Sequence, residues 1–244
     1  MIKKYFTVLN NKIYLFSLII AFLTTPNISA ADNPVISSDT QLNFSSLKET
    51  EIVYDNNNDT LYINQKLFSE DKFLRIEMNA VKEKKLIFYL YTQDDYYIWW
   101  ISGGKAEAYK KAPDTTKISQ YKNSILKNAI DKINEHNPNE VKNYDELKID
   151  ILPVSTEYTD SSEVYCLSSI ITDIAGQVKR EQKIWISPDR RILKEHIIFF
   201  KPQYKNILNN NWIIDSIVNK FYEYNTVFSD EISEPPQGIE FISK

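Results

Sequence analysis

Residues 60–68 read TLYINQKLF, and this stretch decides the fold class. Its side chains fall into two alternating sets, Leu61, Ile63 and Gln65 on one face and Tyr62, Asn64 and Lys66 on the other. A period of two is typical of a half-buried β-strand. Residues 55–59, DNNND, come directly before it, and Asn and Asp favour turns because they tolerate left-handed backbone geometry. We therefore predict a hairpin that joins residues 51–54 to residues 61–68.

Most of the remaining chain carries the same strand signal. Further strands are predicted at residues 72–78, 85–92, 96–101, 105–111, 146–154, 163–172, 182–187, 191–200, 212–226 and 238–242. The chain contains no internal repeat and no second domain boundary. The sequence therefore predicts a mainly β fold, an antiparallel meander of roughly nine to eleven strands.

One segment, residues 117–135, has the period of a helix instead. Its apolar residues recur at three- and four-residue steps, at Ile118, Tyr121, Ile125, Ala129 and Ile133. Asp114 or Thr115 can cap the start, and the pair Asn137-Pro138 ends the pattern. We predict one amphipathic helix in the middle of the β-strands.

The first 31 residues have the build of a secretory signal peptide. Lysines precede an apolar run at residues 13–23, and small residues follow at Ser29, Ala30 and Ala31. The alternative, a transmembrane anchor, needs roughly twenty apolar residues, and this run is shorter. No cysteine lies near the cleavage site for lipid attachment. We expect residues 1–31 to be removed and residues 32–244 to form a single soluble domain in the periplasm.

Composition narrows the classes of partner. Of 29 basic residues three lie in the leader, which leaves 26 against 33 acidic residues and a net charge of −7. Nucleic acids and anionic membranes call for clustered Lys and Arg, so neither is expected as the main partner. The chain has one cysteine, Cys166, and cannot form an internal disulfide. Stability must therefore come from a packed core.

Four motifs, taken in order, resemble a known family. They are residues 59–78 (DTLYINQKLFSEDKFLRIEM), 94–111 (DDYYIWWISGGKAEAYKK), 184–199 (IWISPDRRILKEHIIF) and 235–241 (PPQGIEF). Together they resemble the periplasmic lipoprotein carriers of the LolA group. The resemblance implies an unclosed antiparallel β-barrel, a half-barrel, with a helical lid over its concave face. It also implies that the closing strand after Pro235-Pro236 belongs to the barrel, anchored by Phe228 and Phe241.

In such a fold, function is capture rather than chemistry. The resemblance implies a carrier that holds the acyl chains of lipoproteins or lipids and passes them from an inner-membrane exporter to an outer-membrane acceptor, as a monomer. Burial of each methylene contributes about 0.8 kcal/mol, so an apolar lining and a movable lid suffice. Two alternatives remain: a domain of the same fold that senses lipids or misfolded proteins, and an unrelated secreted hydrolase.

The candidate ligand-binding residues are large apolar side chains of the strands and the lid. They are Tyr62, Phe73, Phe88, Leu90, Trp99, Trp100, Ile125 and Ile133. The carriers usually place an Arg-Pro pair after the first long strand, where the arginine holds the lid closed, and this chain has Asn64-Gln65-Lys66 there. Arg75 matches the family's Phe-Arg strand and is the predicted lid contact.

The sequence offers little catalytic chemistry. His136 and His196 are far apart and lack acidic or thiol partners at ligand spacing, so no metal site is predicted. Cys166 lies on a predicted strand without a nearby base. There is no nucleophile elbow and no phosphate-binding glycine loop. We predict no catalytic residue, no cofactor and no enzymatic activity.

Overall fold

A computed structural model describes most of the chain from residue 43 onwards. The described residues are 43–103, 105–114, 116–135, 142–144, 147–159, 162–203 and 211–243. All of them belong to the compact unit Ile36–Lys244. The predicted signal peptide, His136 and the Asn137-Pro138 helix stop lie outside the described residues.

The described residues form fourteen strands and one α-helix. The first six strands are β1 (Ser46–Asp55), β2 (Thr60–Ser69), β3 (Phe73–Ala80), β4 (Lys85–Thr92), β5 (Tyr96–Ser102) and β6 (Lys105–Lys111). Helix α1 (Thr116–Glu135) follows. The remaining strands are β7 (Lys142–Tyr144), β8 (Leu147–Ile151), β9 (Ser155–Thr159), β10 (Ser162–Asp173), β11 (Val178–Ile186), β12 (Ile192–Gln203), β13 (Asn211–Tyr224) and β14 (Ile242–Ser243). A single 3-10 turn, Asp230–Ser233, precedes β14.

All fourteen strands belong to one sheet that does not close. Its order is β14-β6-β5-β4-β3-β2-β1-β13-β12-β11-β10-β8-β7, and β9 pairs with β10 beside β8. Every pairing is antiparallel except that of β14 with β6. The sheet ends at β14 on one side and β7 on the other. The predicted half-barrel, with its helix over the concave face, is confirmed.

Because successive side chains of a strand point to opposite sides, this sheet has two distinct faces. Phe68 and Leu74 point towards α1 and belong to the core beneath it. Their chain neighbours Leu67 and Phe73 point the other way, into a second core covered by the C-terminal segment, residues 228–241. We call these surfaces the helix face and the tail face. Each residue of β1 to β6 is assigned to one of them by alternation and strand register.

Helix α1 forms where the apolar period predicts it. The side chains of its stripe, Ile118, Tyr121, Ile125 and Ala129, are buried against the sheet. At its start, the Thr116 hydroxyl donates to Asp114 Oδ1 at 2.7 Å. Among the described residues, no helix combines the length and apolarity that crossing a bilayer requires.

Two strand predictions were wrong in detail. Residues 146–154 do not form one strand: β8 ends at Ile151 and β9 begins at Ser155. Pro153 lies between them and has no amide hydrogen to donate to a ladder, so the pairing with β10 is interrupted there. The closing strand is also shorter than predicted, because only Ile242 and Ser243 pair with β6.

The C-terminal segment nevertheless belongs to the core, as predicted. Phe228 meets Phe73 edge to face, with ring centroids 5.7 Å apart. Phe241 meets Tyr97 in the same way at 5.2 Å. Gly238 makes the turn between them at a φ of +79°, a backbone region that favours glycine. This segment fills the tail face of β3 to β6 with aromatic side chains.

Candidate functional site

The apolar stripe of α1 seals a floor on the helix face. The floor consists of side chains from both halves of the sheet: Leu47, Phe68, Leu74, Leu167, Ile184, Ile186, Ile192 and Tyr222. The buried helix residues pack directly on them. The floor and the helix thus bury each other, and removing the helix would expose a large apolar surface.

Beyond the helix, the apolar surface continues, and none of the helices and strands that the structure describes lies over it. On β3 to β6 the helix face carries Met78, Ile87, Tyr89, Ile98, Trp100 and Tyr109, which we call the aromatic patch. Met78 is 41% exposed, and the other five are partly exposed. Trp100 stacks on Tyr109 with ring centroids 5.2 Å apart. Ile76 and Tyr91 join this patch to the floor beneath α1.

Charged side chains cross the same face beneath the helix. Lys66, Glu49, Glu51, Lys220 and Glu195 follow one another across β2, β1, β13 and β12, and we call this row the charged belt. Lys66 Nζ lies 3.0 Å from Glu49 Oε1, and Lys220 Nζ lies 2.8 Å from Glu51 Oε2. The helix face is therefore an apolar floor crossed by a row of charges of both signs.

Two belt carboxylates hold the helix. Glu195 is 1% exposed and forms an ion pair with Lys132 of α1, while the Tyr222 hydroxyl donates to its Oε1 at 2.6 Å. Glu49 is 4% exposed and accepts from the Tyr121 hydroxyl of α1 at 2.8 Å. Buried carboxylates are costly unless they are paired and hydrogen-bonded. The closed position of α1 supplies part of that pairing.

Burial and charge shift the pKa values of the groups around the belt. Burial lowers the pKa of Lys132, and the nearby Glu195 opposes this shift. Burial and the adjacent carboxylates Glu49 and Glu195 raise the pKa values of Tyr121 and Tyr222 respectively, so both tyrosines stay protonated donors. Burial alone would lower the pKa of Lys220, but its bond to Glu51 raises it.

A third polar contact of α1 lies in the second turn of the helix. Lys122 pairs with Glu70, which follows β2 and is 40% exposed at its side chain. Beside this pair is a cavity of about 330 Å³ lined by Phe68, Glu70, Asp71, Gln93, Ile118, Ser119, Lys122 and Asn123. Its wall is largely polar, and it does not coincide with the aromatic patch.

The structure divides the predicted ligand-binding residues between the two faces. Ile125 and Ile133 lie between α1 and the floor, and Tyr62 and Trp100 lie on the helix face of the sheet. Phe73, Phe88, Leu90 and Trp99 lie on the tail face beneath the C-terminal segment. One surface therefore brings together only the first four. Sequence alternation separates the two sets but does not tell which set faces the helix.

Arg75, the predicted lid contact, also lies on the tail face. It is flanked in β3 by Leu74 and Ile76, which point to α1. Its Nε donates to Glu77 Oε1 at 2.7 Å, and its Nη1 donates to the carbonyl of Ile232 at 3.4 Å. Arg75 thus contacts the C-terminal segment. The groups that tie α1 to the sheet are Tyr121, Lys122 and Lys132 instead.

Sequence reasoning missed the buried carboxylates. Glu195 shares its face of β12 with Ile197 and Phe199, so a charge stands in an apolar register of the strand. Glu49 similarly follows the buried Leu47 at a spacing of two. A charged residue among the core-facing residues of a strand was the sequence signal that could have indicated these two buried carboxylates.

The described residues show little that could support catalysis. They contain no group of three or more His, Cys, Asp or Glu side chains that could hold a metal ion. Cys166 is 1% exposed, and burial raises the pKa of its thiol. A nucleophilic thiolate is disfavoured in that setting. The arrangement of the helix face suits binding of an amphiphile.

These features define a half-barrel with an apolar, helix-covered concave face. No family model matches the sequence, and no curated protein matches it significantly. Among solved structures, LolA superfamily protein NE2245 from Nitrosomonas europaea is 10% identical over 82% of this chain and 94% of its own, with a TM-score of 0.25. The hypothetical lipoprotein YmcC from Escherichia coli is 9% identical over 77% of this chain and 92% of its own, with a TM-score of 0.24.

The superfamily in the first of these names is the one that the sequence motifs resemble. Both TM-scores are below 0.5, so the half-barrel is established by the strand pairing described above and not by these matches.

Proposed function

We propose that this protein binds acyl chains of lipoproteins or lipids on its helix face and carries them through the periplasm towards the outer membrane. Helix α1 acts as the movable cover. The protein works as a monomer without cofactor or catalytic step. An inner-membrane exporter would load it and an outer-membrane acceptor would unload it.

One observation carries the proposal. The apolar floor beneath α1 continues into the uncovered aromatic patch, so the closed protein already offers apolar surface at the edge of a larger, sealed one. An acyl chain can begin on Met78, Ile87 and Trp100 and extend beneath the helix as the helix moves. About ten methylenes removed from water contribute about 8 kcal/mol before the costs of association.

The proposed ligand-binding residues are those that share this surface. They are Tyr62, Trp100, Ile125 and Ile133 of the original prediction, together with Met78 and Ile87. Phe73, Phe88, Leu90 and Trp99 would contribute indirectly, because they fix the sheet to the C-terminal segment on the tail face. Arg75 would serve the same purpose.

The test begins with native mass spectrometry of the protein isolated from its host compartment, before and after organic extraction. We expect a bound mass that matches acyl-bearing molecules and that extraction removes. A clean mass, together with failure of the delipidated protein to take up added fatty acid, would overturn the proposal.

Two variants locate the site. Ile87→Lys places a charge in the aromatic patch, and we expect it to weaken fatty-acid binding about tenfold or more, since a lysine there disrupts the apolar contact. Ile101→Lys is the matched control, because Ile101 is on the neighbouring strand, points to the opposite face and is 37% exposed. Equal losses in both variants would mean that the ligand does not bind on the helix face.

The second candidate function is that of a domain that senses lipids or misfolded proteins. It shares the binding surface and differs in the partner. Crosslinking of the loaded protein in cells separates the two: a carrier is expected to be captured with an exporter and an acceptor, whereas a sensor is captured with one membrane regulator.

A further inference from the structure

The charged belt contains one carboxylate whose cation comes from the helix. Glu195 is 1% exposed, and the ammonium of Lys132 forms the ion pair with it. The Tyr222 hydroxyl donates a hydrogen bond to it but adds no charge. Lys220 is the neighbour of Glu195 across β12 and β13, but its Nζ is held 2.8 Å from Glu51 Oε2. The strands themselves therefore give Glu195 only a share of the Lys220 charge, because the ammonium is hydrogen-bonded to Glu51.

Moving α1 off the floor changes the charge balance of the belt. The closed belt with Lys132 has three ammonium groups and three carboxylates. Once Lys132 leaves with the helix, Lys66 and Lys220 face Glu49, Glu51 and Glu195, an excess of one negative charge. Glu49 loses only the neutral Tyr121 hydroxyl and keeps Lys66. The deficit therefore falls on Glu195.

From this imbalance we infer that the ligand is an amine-bearing amphiphile whose ammonium group replaces Lys132 at Glu195. The inference rests on the proposed function, because it concerns the ligand that takes the place of α1 on the floor. The apolar chain would lie on Ile184, Ile186 and Ile192, the floor residues of the strands nearest to Glu195. Its cationic head would restore the pairing that the departing helix removes.

The alternative head groups fit this place less well. A carboxylate would meet Glu195 with like charge, which disfavours binding. A neutral alcohol would accept or donate a hydrogen bond but would leave the carboxylate without a cation. Only an ammonium or guanidinium group supplies both charge and donors. An amine on a lipid is favoured over a basic peptide, because the floor beside Glu195 is apolar at Ile184, Ile186 and Ile192.

The test compares ligands that differ only in the head group. Dodecylamine, dodecanol and dodecanoate are titrated into purified, delipidated protein by calorimetry at neutral pH. We expect dodecylamine to bind at least about tenfold more tightly than dodecanol, as one charge-assisted hydrogen bond implies. Dodecanoate is expected to bind most weakly.

Variants assign the preference to Glu195. Lys132→Met keeps the length and apolar stem of the side chain but removes the resident cation. Glu195 then has no helix cation to lose when α1 opens, so the affinities for dodecylamine and dodecanol should rise together and the amine preference should remain. The double variant Lys132→Met with Glu195→Gln leaves no buried charge at this site, which guards against simple unfolding. It should bind dodecanol more tightly than the native protein does and should lose the preference for the amine.

A helix contact elsewhere serves as the control. Lys122→Met breaks the pair with Glu70 at the other end of α1, so it should change the affinities for all three ligands by the same factor. If the double variant keeps the amine preference, or if the native protein binds dodecanoate as tightly as dodecylamine, the inference is wrong while the proposed function stands. If none of the three ligands binds, the proposed function fails and the inference fails with it.

Discussion

Lys132 and Glu195 should be strongly coupled in stability. Breaking a buried ion pair by removing one partner typically costs about 3–5 kcal/mol, because the other charge stays buried without compensation. Lys132→Met leaves Glu195, 1% exposed, with only the Tyr222 hydroxyl. Glu195→Gln leaves Lys132, whose side chain is 16% exposed, without its carboxylate. We expect the first variant to lose more stability than the second, since the lysine can reach solvent more easily.

The double variant should recover most of that loss. Exchanging a buried pair for neutral side chains of similar size is often neutral or stabilising. The lowered pKa of Lys132, caused by its burial, agrees with this, because it means that the folded protein disfavours the charged lysine. The expected coupling energy between the two substitutions is therefore about 3 kcal/mol or more.

Urea unfolding of the four proteins measures this coupling. A loss of about 3 kcal/mol lowers the unfolding midpoint by 1 M or more at the usual urea dependence of small domains. Lys122 and Glu70 provide the matched cycle, and their coupling should stay below about 1 kcal/mol because Glu70 is 40% exposed. Additive effects at Lys132 and Glu195 would refute the assignment of Glu195 as a buried anchor of the helix.

Three further predictions test the rest of the fold. Phe241→Ala should lower the free energy of unfolding by about 2 kcal/mol, less than a fully buried phenylalanine, and should blue- or red-shift the fluorescence of Trp99, which it contacts. Gly238→Ala should cost about 1 kcal/mol from its positive φ alone, since no atom lies within 4 Å of the added methyl group; an unchanged urea midpoint would contradict the turn geometry. Burial would raise the pKa of Glu51, but the hydrogen bonds from Lys220 and Asn64 outweigh it and the pKa is lowered. Glu51 therefore stabilises the fold above pH 4.5, and this contribution disappears as the pH falls through the folded pKa. Glu51→Gln should reduce the loss of stability in acid, which urea midpoints measured across that pH range would show.

Much of this fold can be predicted from the sequence, because most strands and the helix have a local pattern of apolar and polar residues. The alternation in residues 60–68 and the turn at residues 55–59 predict the β1–β2 hairpin, and the apolar stripe predicts α1 to within one residue. Such features depend on neighbouring side chains and backbone preferences. The interruption between β8 and β9 was equally local, since Pro153 marks it.

The assignment of faces could not be predicted in the same way. Both faces of β3 and β4 are apolar: Phe73 and Leu90 on one are as hydrophobic as Leu74 and Tyr91 on the other. Which set meets α1 depends on where the C-terminal segment packs, about 150 residues later in the chain, and no local pattern records that choice. The predicted ligand-binding set therefore mixed residues of the two faces.

Competition between ligand and helix explains why a charged belt belongs in an apolar site. Helix α1 is tethered to the sheet and closes on the floor at a high effective concentration, so any free ligand must outcompete an attached one. An apolar chain that covers the floor regains only the burial free energy that the helix stripe loses on leaving it. In addition, such a chain leaves Glu195 buried without a cation. A ligand that brings its own positive charge avoids that second cost. Under the proposed carrier function, the belt would raise the free-energy cost of opening for most apolar molecules and would spare one chemical class that cost.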